Sequence, residues 1–156
     1  NIFNSVSLSI FDSLLGSVVS EELNKQELMN LMNKKSLYIL LYSRIESMIM
    51  EYCPNKTGEP CSHPCMIHDY SLEDRLGYKI PILHDIFCRA HLMNSKVKNN
   101  LDIVDEFMDA GYNYFMVELN DESMDEAKRI VSAFENHQGV VVGSEVTRGH
   151  YNRGVL

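Results

Sequence analysis

A chain of 156 residues is long enough for one domain with a sizeable core, and its 45% hydrophobic content is ordinary for a globular protein. Its formal net charge of −8 does not suit a clamp on nucleic-acid backbone, which needs clustered Lys and Arg, although local basic patches remain compatible with it. No run of about 18 apolar residues occurs, which argues against a membrane-spanning helix and sets the expectation of a cytoplasmic protein with no membrane partner.

The first residue is Asn1, directly before the apolar pair Ile2-Phe3, so the chain is expected to start within a larger protein or to lack a disordered start, and Ile2-Phe3 to end a strand. Val6, Ile10, Phe11, Leu14 and Leu15 recur at helical spacing, with Gly16 as a candidate C-cap. Ser17-Val18-Val19 is a short strand candidate. A helix starts at Ser20 or Asn24; Asn24 with Glu27 reads as a capping box, and Leu28, Leu31 and Met32 give the apolar stripe. Leu37 to Leu41 reads as a strand buried on both faces. Residues 52–68 carry three Pro, one Gly and three Cys without periodicity, and read as a loop. Tyr70 to Ile82 reads as a hairpin turning at Asp74-Arg75-Leu76-Gly77.

Ala90 to Met93 is a further strand candidate. Leu101, Val104 and Met108 line a helix whose wet side carries Asp102, Asp105, Glu106 and Asp109, and Gly111 stops it. Tyr114 to Val117 reads as a buried strand. Ser123 with Glu126 forms a capping box for a helix lined by Ala127, Ile130, Val131 and Phe134. The tail from His137 is Gly-rich and basic, with no clear period.

Strands alternating with helices imply an α/β fold with a parallel sheet. About five short strands and four helices make about half a (β/α)₈ barrel, which needs roughly 250 residues. The expectation is therefore a TIM-barrel-like repeat, the C-terminal half of a barrel, over 1–156, with a cysteine-rich loop and a β-hairpin inserted at 52–88. A complete small doubly wound sheet is the rival. Hydrophilic residues follow each strand candidate: Asn4, Ser20, Ser43 with Arg44, Asn94 with Ser95, and Glu118. Barrel enzymes place their chemistry at such carboxyl ends.

The four cysteines are spaced Cys53-x7-Cys61-x3-Cys65-x22-Cys88. Three lie in a Pro-rich polar loop that offers no core, which argues against ordinary buried cysteines. Two disulfides would imply a secreted chain, and an α/β domain of this size does not need such staples. A metal centre remains. Structural zinc sites usually come as two short Cys hooks, and only Cys61 and Cys65 make one here. Iron–sulfur clusters accept dispersed cysteines, one thiolate per iron, and Pro after a ligand, as in Cys53-Pro54, recurs among them. The spacing favours a cluster, with zinc as the alternative. His63 lies between two ligand candidates and reads first as an exposed loop residue, second as a spare ligand or a donor to the centre.

Glu51-Tyr52-Cys53-Pro54, Cys61-Ser62-His63-Pro64-Cys65, Leu72-Glu73-Asp74-Arg75-Leu76-Gly77, Pro81, Asp85, Cys88-Arg89 and Asn94-Ser95 together resemble peptidase family U32, the collagenase-like proteases. Thr147-Arg148-Gly149-His150-Tyr151-Asn152-Arg153-Gly154 is similar to the segment that closes that family's core domain. Asn1-Ile2-Phe3-Asn4-Ser5 and Ser20-Glu21-Glu22-Leu23 are similar to its middle strands. The resemblance covers nearly the whole chain, and the cysteine block is its most specific part. It implies a TIM-barrel-like fold and, as in several members, a [4Fe–4S] cluster on Cys53, Cys61, Cys65 and Cys88. Those members take part in oxygen-independent hydroxylation of tRNA, ribosomal RNA or a quinone precursor; others are named collagenases, with no assigned peptidase mechanism. The compact Cys53, Cys61, Cys65 spacing departs from the RNA- and quinone-modifying members and is closer to uncharacterised bacterial ones, so the substrate class (RNA, quinone precursor or peptide) stays open.

No Gly-x-Ser-x-Gly and no His-Glu-x-x-His occurs, and a ligand thiolate is not a free nucleophile, so a modifying enzyme is favoured over a peptidase, with a structural zinc module as a third reading. Glu21-Glu22 and Asp121-Glu122 read as helix-start charges. Arg44, Arg89, Arg148 and His150 are the candidates for substrate contact, each also readable as a structural or surface residue. The expected partner is the remaining half of the barrel, or a second copy of the chain covering the open strand edges.

Overall fold

The computed structural model describes residues 2–11, 16–56, 61–139 and 146–153, with the side chain of Met66 left aside. It divides the chain into two compact units, one made of Asn1–Ser43 with Lys98–Leu156, the other of Arg44–Val97.

The discontinuous unit is built on one apolar strand. β1 (Ser17–Val18) and β2 (Leu37–Ser43) run parallel, Ser17 beside Leu37 and Val18 beside Tyr38, and Ile2 bridges Val19 in parallel on the outer side. Six of the seven β2 residues are buried, which is why their sequence shows no polar alternation. β8 (Tyr114–Val117) lies parallel to β2 on its other side, Ile39 beside Phe115, with an irregularity between Leu40 and Tyr42. Ile2, β1, β2 and β8 thus stand side by side in chain order. At the carboxyl end of β2 the short β7 (Val97–Asn99) pairs antiparallel, Tyr42 beside Asn99 and Ser43 beside Lys98, and β9 (Val146–Thr147) adds beyond it. The result is a mixed α/β unit, and among the described residues its strands do not close into a barrel.

Among the described residues four helices accompany this sheet. α1 (Ser5–Ile10) is capped by Asn4, whose side chain accepts from Ser7 N at 2.8 Å. It is too short to bury the expected stripe: Leu8 is its buried residue, whereas Val6 and Ile10 are exposed and Leu14 and Leu15 lie outside the described residues. It ends at Phe11, not at Gly16. α2 (Lys25–Asn30) has the expected capping box: Glu27 N donates to Asn24 Oδ1 at 3.0 Å and Asn24 N to Glu27 Oε2 at 2.8 Å. Leu28 and Leu31 are buried but Met32 is exposed, because the helix stops before it. A single 3₁₀ turn at Leu101–Ile103 leads into α3 (Val104–Asp109), so Leu101, Val104 and Phe107, three apart, form the buried row, and Met108 faces out. Gly111 ends it with φ +97°, a conformation open to glycine. α4 (Met124–Glu135) starts at the Ser123–Glu126 capping box and buries Ile130 and Ala133, leaving Val131 exposed. The core gathers Leu37, Leu41, Leu101, Val104 and Ile130 with Phe107 edge-on to Tyr112 at 6.0 Å and to Tyr151 at 5.6 Å. The Tyr112 hydroxyl is satisfied by donating to Leu28 O at 2.6 Å, and burial lifts its pKa to about 12.

The Arg44–Val97 unit is a four-stranded antiparallel sheet in the order β3 (Glu46–Met50), β6 (Ala90–Met93), β5 (Lys79–His84), β4 (Tyr70–Glu73). The expected hairpin is β4–β5, Tyr70 beside Ile82 and Glu73 beside Lys79. Asp74 Oδ1 accepts from Leu76 N at 2.7 Å and Tyr78 N at 3.0 Å, and Gly77 has φ +83°. Ala90 to Met93 is a strand, but it belongs to this antiparallel sheet rather than to a parallel barrel series. Only Ile82, Ala90 and Met93 among its strand residues are fully buried, a small core for four strands. Among the described residues no helix is long and apolar enough to cross a membrane.

Candidate functional site

All four cysteines belong to the Arg44–Val97 unit, each half-buried and none in a disulfide. Cys53 and Cys61 lie in irregular backbone, Cys65 in a single 3₁₀ turn opened by Pro64, and Cys88 in the tight turn between β5 and β6. Burial raises the Cys65 thiol, and the charges of Cys53, Cys61 and Cys88 push it further the same way. The other three sulfurs therefore lie within electrostatic reach of Cys65. Like-charged thiolates drawn together are unfavourable by themselves, and a bound cation reverses that repulsion.

His63 enters the same cluster. Its amide N lies 3.4 Å from Cys61 Sγ, placed to donate, and its ring Nδ1 lies 4.0 Å from Cys88 Sγ. Both His63 and Cys88 hold positive φ, +51° and +61°, a conformation that costs a non-glycine residue about 1–2 kcal/mol. The turn that presents Cys88 is tied by Asp85. Its Oδ1 accepts from Phe87 N at 2.9 Å and Arg89 N at 3.0 Å, and its Oδ2 from Arg89 Nε at 2.7 Å, while Cys88 N donates to Asp85 O at 3.1 Å. Burial alone would raise the Asp85 carboxyl, but these donors, Arg89 foremost, hold it down at about 2. Next to it His91 Nδ1 meets Glu46 Oε2 at 2.5 Å, and that hydrogen bond raises the imidazole pKa against the effect of burial.

Four thiols of this kind suit a thiolate-bound centre, an iron–sulfur cluster or zinc. Among the described residues no three His, Cys, Asp or Glu side chains stand close enough to hold a single metal ion.

The four polar candidates are placed as follows. Arg44 is buried and donates from Nη1 to Asn94 O at 3.1 Å and Ser95 O at 3.2 Å, bracing the turn after β6. Arg89 is the ion-pair partner of Asp85. Arg148 and His150 lie in the other unit. Arg148 makes a two-pronged pair with Asp102, Nη2 to Oδ2 at 2.6 Å, and a bond to Asn99 O at 3.3 Å. Both line a crevice beside the carboxyl end of β1, together with Ser20, Glu21, Lys98 and Asn100. Three of the six buried polar side chains of the described residues, Ser20, Lys98 and Asn100, meet there. Glu21 is therefore not merely a helix-start charge: it pairs with Lys98 Nζ. Burial lowers the Lys98 pKa, and Glu21 opposes the shift.

Spacing alone pointed to the cysteines and to Ser20 at a strand end. Asp85, Lys98 and Asn100 escaped it, because a lone carboxylate, lysine or asparagine acquires its meaning from partners distant in sequence. No family model, no curated protein and no solved structure matches the chain.

Proposed function

We propose that Cys53, Cys61, Cys65 and Cys88 hold a [4Fe–4S] cluster, and that the chain is part of a cluster-dependent modifying enzyme of the peptidase U32 kind, acting by oxygen-independent hydroxylation. What supports this reading is the density of three cysteines in an aperiodic, Pro-rich loop with no hydrophobic reason to carry them, together with the charges of Cys53, Cys61 and Cys88 all acting on the Cys65 thiol. The chain-order parallel series Ile2, β1, β2, β8 supports the later half of a barrel as the scaffold. A bound cluster supplies single-electron transfer.

The protein's own residues do the holding. Asp85 fixes the turn that carries Cys88. The His63 amide, aimed at Cys61 Sγ, stabilises negative charge on that sulfur. Arg89, neutralised by Asp85, serves as a brace. Arg44 does the same for the Asn94–Ser95 turn, so both act as scaffolding rather than as substrate contacts. The substrate class, an RNA base or a quinone precursor, rests on the resemblance alone.

Anaerobic reconstitution with iron and sulfide is the test. About four irons per chain, a broad visible thiolate-to-iron absorption and their joint loss in Cys65→Ser are expected. A chain that binds one zinc and no iron would replace the cluster with a structural zinc module. Gelatin cleavage by the iron-free chain would decide for the peptidase.

A further inference from the structure

Lys98, Asn100 and Ser20 are buried to nine-tenths or more, side by side with Glu21, Arg148 and His150, in a crevice unrelated to the cysteines. Burying a polar side chain costs free energy unless its hydrogen bonds are made. Most here are made: Lys98 is paired with Glu21, and Arg148 with Asp102. Two atoms of lining residues are exceptions, Asn100 Oδ1 and the Tyr151 hydroxyl, both buried with no hydrogen-bond partner. Asn100 is 2% exposed, and its backbone is pinned, N to Leu41 O at 2.8 Å, so the side chain has little freedom to seek another donor. The Lys98 stem lies against Gly149, where an added Cβ would stand 3.7 Å from Lys98 Cδ. That packing fixes the ammonium at the crevice with three N–H groups, one of them used by Glu21.

The free valences define what fits. An anion is disfavoured, because each cation already has its carboxylate: Glu21 for Lys98, Asp102 for Arg148. An apolar group would leave Asn100 Oδ1 and the ammonium donors unsatisfied. A hydroxyl both accepts, from Lys98, and donates, to Asn100. The enclosed space, about 10 Å³, admits one oxygen-sized group at its inner end. We infer that this crevice is a binding site for a neutral polyhydroxy ligand, a sugar-like vicinal diol, one hydroxyl of which sits between Lys98 and Asn100. Arg148 and His150, which also line the crevice, meet the outer part of the ligand. The site stands at the carboxyl end of β1, the end of a parallel sheet where ligands bind.

The test is an NMR titration of the full chain with D-ribose, read at the backbone amides of Asn100 and Gly149 and at Lys98 Nζ, with inorganic phosphate as the anionic comparison. Saturable shifts with ribose and none with phosphate are expected. Asn100→Ala, which removes the acceptor, should weaken ribose binding by about tenfold, the value of one hydrogen bond. Lys98→Met leaves the half-buried Glu21 without its cation and risks the fold, so the paired Glu21→Gln, Lys98→Met chain, which keeps the stem and removes both charges, is the second variant; it should lose binding with a native amide spectrum. Absence of saturable shifts, ribose shifts indifferent to both variants, or phosphate in place of ribose at these residues would overturn the inference.

Discussion

Asp85 carries an unusual share of the cysteine unit: one carboxylate closes the turn that forces Cys88 into a left-handed backbone and neutralises the arginine beside it. Residues that orient a metal ligand without touching the metal commonly change affinity by roughly 10–100-fold when removed. Asp85→Ala should show a loss of that order in chelator competition, with Asp85→Asn milder because it keeps an acceptor for Phe87 N. The same residue sets an acid limit. Its folded pKa, about 2, lies below the ordinary 3.8, so its contribution is complete above 3.8 and disappears as the pH falls through 2. His91 has the opposite sign. Its pKa is raised above 6.5 by Glu46, so its contribution is complete below 6.5 and is lost as the pH rises through the folded value. The urea midpoint difference between the parent chain and His91→Gln should therefore be larger at about pH 5.5 than at about pH 8.5.

At the scale of elements, β2 is the strand on which the discontinuous unit depends, with strands on both edges and Leu37, Leu41 and Tyr42 fully covered. Leu41→Ala should cost about 2–5 kcal/mol in urea unfolding, and Ser123→Ala, which removes the α4 cap, about 1 kcal/mol. These two elements were legible in the sequence because their signals are local: an unbroken apolar run and a capping box. The β4–β5 hairpin was legible for the same reason, through Asp74 and Gly77. β7 was not. Val97-Lys98-Asn99 is mostly polar, and it becomes a strand only by pairing with the end of β2. β3 stayed hidden because most of its side chains are exposed and carry no burial pattern. The phase of α3 was misread by one residue because a 3₁₀ turn, three residues per turn, precedes it. The site divides likewise: the cysteines, and His63 between two of them, announce themselves by spacing, but the support that Asp85 gives is defined by contacts that only folding creates.

At the scale of the whole molecule, the two units have separate cores, one of aromatic and aliphatic side chains around β2, the other of Ile82, Ala90 and Met93. With its smaller core, the Arg44–Val97 unit is the one that the proposed metal centre would stabilise. Hydrogen exchange on chelation should rise across Arg44–Val97 and change little in β2 and α4. β8 has β2 on one side and, among the described residues, no strand on the other. A bare edge of this kind seeks a partner strand. Light scattering is expected to give a mass above that of the 17.9 kDa chain, rising with concentration. A stable, cooperatively unfolding monomer at all concentrations would favour a self-sufficient α/β sheet over half a barrel.

The pairing of Ser43 with Lys98 has a kinetic consequence. The chain leaves β2 and returns on β7 at neighbouring positions, so the two ends of the Arg44–Val97 segment are held close together. While that segment is unstructured, joining β7 to β2 must close a loop of roughly fifty residues; once it has folded, its own ends are tethered and the loop is effectively a turn, a saving of about 2 kcal/mol in closure entropy. Metal captured early by the cysteines would then act as a clock for the sheet of the other unit. Stopped-flow refolding of the metal-loaded chain should be faster at β2 than that of the stripped chain, although β2 contributes no ligand.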